Sequence, residues 1–426
     1  MPNTRGRLNN SESGCYVTVI LVAVFAFGLH ADTLNPLASA ASTGTDGSFT
    51  SVLTNNQPYW GTSYVLNTDS GQVFAGGYAG NGYLEYSSGP LATFGIQQVT
   101  QPDGSTVNVF NFSTFNVPQG FTLTTTGSAA AALLAQNDAQ IAGNIIVRNA
   151  NQPGASNPNV GNGPLGGGNG GNGWGYVTAN TYGFAGSGGG GGLVIQGGGG
   201  YSGVPQIVGY NNNVPIVYWP SGGAGGAAGD LNNLQGGGAG GLGGHGCGYC
   251  TGVAAGGYGG GALLFGDNGN FTITASGSIT ADGGAGQLNY SDGASGGAGG
   301  GGAGGYLWFN VAGTWDNEGA VIAEGGAGAT DNGQTFSNYF NAWDYGPFLG
   351  GAGAGGFVNI DPQSIVNNGI IDVAGGFGDN TGLVDFGVLP TGSGEIDGSL
   401  APEPDSFALL GIPLVWIAAG RALKRA

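Results

Sequence analysis

Between Gly260 and Gly378 apolar residues come in short runs with every second position apolar, and the same order of runs occurs three times. The first unit reads G-G-A-L-L-F from Gly260 to Phe265, then G-S-I-T-A-D-G-G-A-G from Gly277 to Gly286. The second reads G-G-Y-L-W-F from Gly304 and G-A-V-I-A-E-G-G-A-G from Gly319; the third reads G-G-F-V-N-I from Gly355 and G-I-I-D-V-A-G-G-F-G from Gly369. A period of two belongs to a β-strand, so Ile279 and Ala281, Val321 and Ala323, and Ile371 and Val373 are predicted to share one inward face. Equivalent positions recur at offsets of 42 and then 50. A unit of this size cannot bury its own apolar face, so the units must stack. The flanking glycines are expected to supply positive φ at sharp corners. The unequal lengths are expected to be absorbed in glycine-rich loops projecting from one side, of which 286–300 and 330–350 are the longest.

Alternation begins upstream, with V-N-V-F-N-F-S-T-F-N-V from Val107, A-A-A-A-L-L-A-Q from Ala129 and I-A-G-N-I-I-V from Ile141. This opening is similar to the N-terminal coils of the right-handed β-helix found in large bacterial secreted surface proteins, a resemblance that implies architecture and no chemistry. The predicted fold is all-β: a right-handed parallel β-helix, or β-solenoid, with long glycine-rich loops over 101–386. Residues 32–100, rich in Tyr, Ser, Thr and Gly, read as a β-rich cap, because an uncapped solenoid leaves unpaired strand edges. Residues 387–401 lack periodicity and read as a linker. The competing reading is a disordered glycine-rich matrix chain, with Asn157–Asn172 the segment that most resembles one.

Composition narrows the field. Glycine supplies 98 of 426 residues without the strict three-residue period of collagen, while 10% aromatics leave enough apolar surface to pack. Acids outnumber bases 24 to 6, and the bases sit at the ends: Arg5 and Arg7, then Arg421, Lys424 and Arg425, with Arg148 alone between. Phosphate binding requires Lys and Arg, so nucleic acid is excluded as a partner.

The two ends carry export signals. Arg5 and Arg7 precede the apolar run from Tyr16 to Leu29, the order of a secretory signal peptide over 1–31, cut after Ala31 or at the later Ala38-Ser39-Ala40 stretch. At the other end Pro402-Glu403-Pro404 is followed by an apolar run from Phe407 to Ala419 and by Arg421, Lys424 and Arg425. This tail, 402–426, resembles the PEP-CTERM sorting signal of Gram-negative bacteria. The resemblance implies recognition of Pro402, Glu403 and Pro404 by an exosortase, transient inner-membrane contact through the apolar helix, and orientation by the basic end. Signal peptidase and exosortase are the partners expected during export, and the destination is the cell surface or the medium.

Chemistry is sparse. His245, Cys247 and Cys250 form the one soft-ligand cluster, short of the four ligands zinc wants. A C-x-x-C after export most simply closes a small disulfide between Cys247 and Cys250, with metal binding, redox chemistry and free thiols as the other readings. Arg148 reads as a solvated strand end. Asp282 and Glu324 hold the same repeat position, but Ala374 interrupts the row in the third unit, which leaves a thin basis for catalysis. The Asp-Gly and Asp-Asn pairs at Asp267, Asp282, Asp292, Asp316 and Asp331 read first as turn formers and second as Ca²⁺ ligands. No cofactor is expected. Tyr218, Trp219, Trp343 and Tyr345 are candidates to stack on sugar rings or to pack in a core. The expected function is non-enzymatic: a surface or matrix protein associated with exopolysaccharide or biofilm, the alternative being a glycan-active β-helix lyase or hydrolase.

Overall fold

The computed structural model describes residues 41–55, 62–78, 84–86, 89–149, 192–198, 206–211, 214–218, 228–241, 256–287, 298–329, 350–376 and 382–400, less 387, 389 and 398. The chain divides into two units, 1–35 with 402–426, and 36–401; every described residue belongs to the second. Strand dominates, and parallel sheets curl into a half-barrel.

Each repeat contributes the same series of elements. Ala262–Asp267 and Phe271–Ile273 lie in one sheet and Ser278–Thr280 in the other; the next repeat follows with Tyr306–Asn317 and Ala320–Ile322, and the one after with Phe357–Asn367 and Ile370–Asp372. All of these pair in parallel with their equivalents. Ile279 lies opposite Val321 and Val321 opposite Ile371, so the offsets of 42 and 50 read from the sequence are the strand register. Ile279, Ala281, Val321, Ala323, Ile371 and Val373 are fully buried, as the alternation requires.

The core is a set of columns running through the stack. Phe110, Leu133, Phe265, Phe309, Ile360 and Phe386 occupy one register position in successive strands. The Phe265 and Phe309 rings stack at 5.3 Å, and Trp315 meets Phe309 edge-on at 5.5 Å. At one corner Asn317 and Asn367 are buried, and their side chains continue the ladder with an Nδ2 to Oδ1 hydrogen bond of 2.9 Å. On the outer side of the long strands Ala262, Tyr306 and Phe357 are covered by Leu193 and Leu234. Gln101 fixes that cover, donating to the Leu234 carbonyl and accepting its N–H at 3.0 and 2.7 Å.

At the N-terminal end the pairing turns antiparallel. Ser63–Asn67 pairs in parallel with Thr122–Gly127 but antiparallel with Gln72–Tyr78, and Gln97–Thr100 runs antiparallel to Thr106–Phe112. The short helix Phe49–Asn55, capped by Ser48 Oγ on the Ser51 N–H, presses Phe49 against Phe94, Phe112 and Phe115. At the other end the stretch expected to be a linker carries short strands, Pro390–Thr391, Glu395–Asp397 and Ser399–Leu400, all parallel to the stack. They are too short to show alternation, so their sequence gives no periodic signal.

The glycine-rich stretches differ most from expectation. None of the repeat glycines from Gly256 to Gly376 among the described residues lies at positive φ; such glycines occur at Gly44, Gly47, Gly71, Gly76, Gly104, Gly120 and Gly392. Nor do residues 298–305 project; they are buried throughout. Successive N–H groups there point in three directions in rotation. Gly300 and Ala303 donate to Gly241 and Gly238, Gly301 and Gly304 to Gly351 and Ala354, and Gly302 and Gly305 to Gly284 and Ala281, all at 2.7–3.0 Å. A hydrogen-bond direction that repeats every third residue is that of an extended threefold helix of the polyproline II type. The arms 237–241, 256–261, 281–286, 298–305, 323–329 and 350–356 thus form a lattice bonded chiefly through backbone. Glycine is required because a methyl at Gly302 would overlap the Tyr258 carbonyl oxygen, and one at Gly353 the Gly302 carbonyl oxygen. Gly302→Ala and Gly353→Ala are therefore each expected to cost about 1–3 kcal/mol or more in urea denaturation, as overpacking does. Gly89→Ala, where a methyl meets nothing within 4 Å, is expected to be neutral or slightly stabilising.

Candidate functional site

Most site residues expected from the sequence lie outside the described residues: Ala31, Pro402, Glu403, Pro404, Arg421, Lys424, Arg425, His245, Cys247, Cys250, Trp219, Trp343 and Tyr345. Tyr218 ends the strand Val214–Tyr218, which pairs antiparallel with Gln206–Asn211. Arg148, Asp282 and Glu324 are described, and the fold brings them to one place.

That place is the outer face of the sheet of short strands. Thr280, Ile322, Asp372 and Asp397 follow one another in register, one per strand, about 4.8 Å apart as neighbouring strands are. Asp282 and Glu324 lie two residues beyond Thr280 and Ile322, on the same face, where the strands enter the glycine arms. The Glu324 N–H donates to Asp282 Oδ1 at 3.1 Å, and Asp372 Oδ1 accepts the Ala374 N–H at 3.0 Å. Glu324 stands on the same face as Asp372, diagonally across the strand pair, so that a hydrogen bond between the two carboxyl groups needs a proton on Glu324, because ionised carboxylates only accept. The row does not end at Ala374; Asp372, on the same face two residues earlier, takes over, and Asp397 extends it. Asp372 is legible as a same-face neighbour at a spacing of two, whereas Asp397 falls in the stretch without periodicity.

Arg148 closes the other end. Ile146 is in register with Thr280, which places Arg148 beside Asp282, and its guanidinium lies 5.5 Å from the centre of the Tyr258 ring. It is half-buried against this aromatic face, not a solvated strand end.

Electrostatics follow from crowding with one cation. Glu324 is raised to about 7, first by its hydrogen bond with Asp372, then by burial and by the charges of Asp372, Asp282 and Asp397. Asp282 is raised to about 6, chiefly by burial, with Asp372 adding to the rise and the Glu324 N–H and Arg148 opposing it. Among the described residues no group of three or more His, Cys, Asp or Glu is arranged to hold a metal ion. A row with one carboxyl per strand spreads its oxygens along the face, whereas Ca²⁺ needs six to eight converging on one point. Asp267 acts in a turn, as read from the sequence, accepting the Gly269 N–H at 2.7 Å; it also accepts the Ala139 N–H of the preceding repeat at 2.7 Å.

Comparison of the chain with protein-family models, curated proteins and solved structures gave no match.

Asp267 generates a pH prediction. Burial raises it to about 7, against the pull of its two backbone donors and with Asp138 adding to the rise. The folded state therefore keeps a proton that the unfolded chain, with an ordinary carboxyl, releases near pH 4. Its contribution is fully present below that pH and is lost as pH rises towards 7, a change of about 4 kcal/mol at 1.36 kcal/mol per unit. Urea midpoints should fall between pH 4.5 and 7.5, and Asp267→Asn should flatten that fall; an equally steep fall in the variant would exclude Asp267 as its source.

Proposed function

We propose that this chain is an exported, non-enzymatic protein of the cell surface or extracellular matrix, built as a right-handed parallel β-helix and associated with exopolysaccharide or biofilm. The observation that carries the reading is the order of features at the C-terminus: Pro402-Glu403-Pro404, an apolar run from Phe407 to Ala419, then Arg421, Lys424 and Arg425. As a helix that run spans about 20 Å at 1.5 Å per residue, short of the roughly 30 Å of bilayer hydrocarbon, and Gly411 and Pro413 weaken it. Such a segment suits transient display of the tripeptide to an exosortase better than permanent anchoring. Signal peptidase acts first, at Ala31, and the processed chain leaves the inner membrane. The parallel stacking of unequal repeats supports the β-helix, because the strand register advances by one repeat per layer. A stack of this kind offers long faces and few reactive groups, a geometry for association with polymers.

One observation favours a second reading, a glycan-active β-helix enzyme: Arg148 stands beside the carboxyl row, and lyases of such folds pair a base with carboxylates. Turnover of any member of a panel of acidic and neutral polysaccharides would overturn the non-enzymatic reading. Intact-mass analysis of the native protein tests the route. The expected species begins after Ala31 and ends near Pro402, and its mass also reports whether Cys247 and Cys250 are joined. A full-length chain ending at Ala426, recovered from the inner membrane, would contradict the proposal.

A further inference from the structure

We propose that Asp282, Glu324, Asp372 and Asp397, carried side by side on one face of adjoining strands, form a proton-operated clasp on the C-terminal end of the stack, closed when the row carries a proton and loosened when it is fully ionised. The geometry of the last strand makes the clasp consequential. Glu395–Asp397 pairs through three residues with Ile370–Asp372, and among the described residues no strand pairs with its other edge. Its backbone ties to the stack include Glu395 N–H to Gly369, Gly394 N–H to Asn367 and Val373 N–H to Asp397. With so few bonds, side-chain interactions across the pair decide whether the strand stays in place.

Those interactions are nearly all of one sign. The charged groups facing Glu324 are Asp372, Asp282 and Asp397, while Arg148 faces Asp282 from the far end. When Glu324 carries the proton, it bridges its own repeat to Asp372 in the next, and the charge beside Asp397 is reduced. When that proton leaves, Glu324, Asp372 and Asp397 repel across three successive strands, and the edge strand has the least to hold it. Raising the salt concentration screens this repulsion.

Hydrogen exchange followed by mass spectrometry on the intact protein tests the clasp, with protection factors corrected for the intrinsic pH dependence of exchange. Between pH 5 and pH 8 the amides of residues 383–397 should lose about tenfold more protection than those of Thr122–Gly127, the amount that one unit of pKa difference supplies. The double substitution Glu324→Gln with Asp372→Asn keeps the shape of both groups and removes both charges; it should abolish that excess loss while leaving the global pH dependence from Asp267 intact. An equal loss of protection in the two regions of the unsubstituted protein, or an excess that persists in the doubly substituted one, would overturn the proposal.

Discussion

Backbone packed directly on backbone is the constraint on which the structure depends. In the glycine arms each N–H of 300–305 finds a carbonyl on one of three neighbouring segments, and the space between segments leaves no room for a Cβ at Gly302, Gly304 or Gly353. An ordinary parallel sheet satisfies its backbone in one plane and buries its side chains on either face. The arms instead satisfy theirs in three directions and bury almost no side chain. The described closing segments therefore need few apolar residues, and the stacked strands run into a wall of glycine bonded segment to segment. Alanine is accommodated at Ala281, Ala323, Ala303 and Ala354, all buried, where a methyl points into the core or the outer cluster.

This division of labour explains what was legible in the sequence. Strand register could be read because Ile279, Val321 and Ile371 sit at a spacing of two from Ala281, Ala323 and Val373, and a period of two has one structural meaning. The glycine arms could not be read the same way. Their period of three lies in the direction of the hydrogen bonds; when all three sides of a helix are packed, every position is glycine or alanine and no pattern remains in the residue types. The expected role of glycine was freedom at positive φ, but its role in the repeats is to be small. The carboxyl row was half legible. Asp282 and Glu324 align by their shared position before the glycine pair, and Asp372, offset by two, shares their face by the strand period, whereas Asp397 stands in a strand of three residues that carries no pattern.

Scarcity of charge shapes the rest. Arg148 is the one basic residue between Arg7 and Arg421, so the acids on the outer face meet hardly any compensating cation and adjust by holding protons. The same scarcity leaves side-chain ion pairs little part in cohesion. Stability comes instead from the aromatic columns through Phe265 and Phe309 and from the backbone lattice, neither of which depends on ionic strength. Variation in salt and pH therefore does not reach the interactions that hold the stack, apart from those of the carboxyl row and buried Asp267.

The lattice itself is most directly tested by native-state hydrogen exchange resolved to single amides along Gly300–Gly305. These residues belong to no strand, but each of their N–H groups is bonded to another segment. The account predicts that they exchange as slowly as the strand amides of Tyr306–Asn317 that follow them. Exchange of Gly300–Gly305 at the rate of an unstructured chain, with protection retained in the strand, would contradict it.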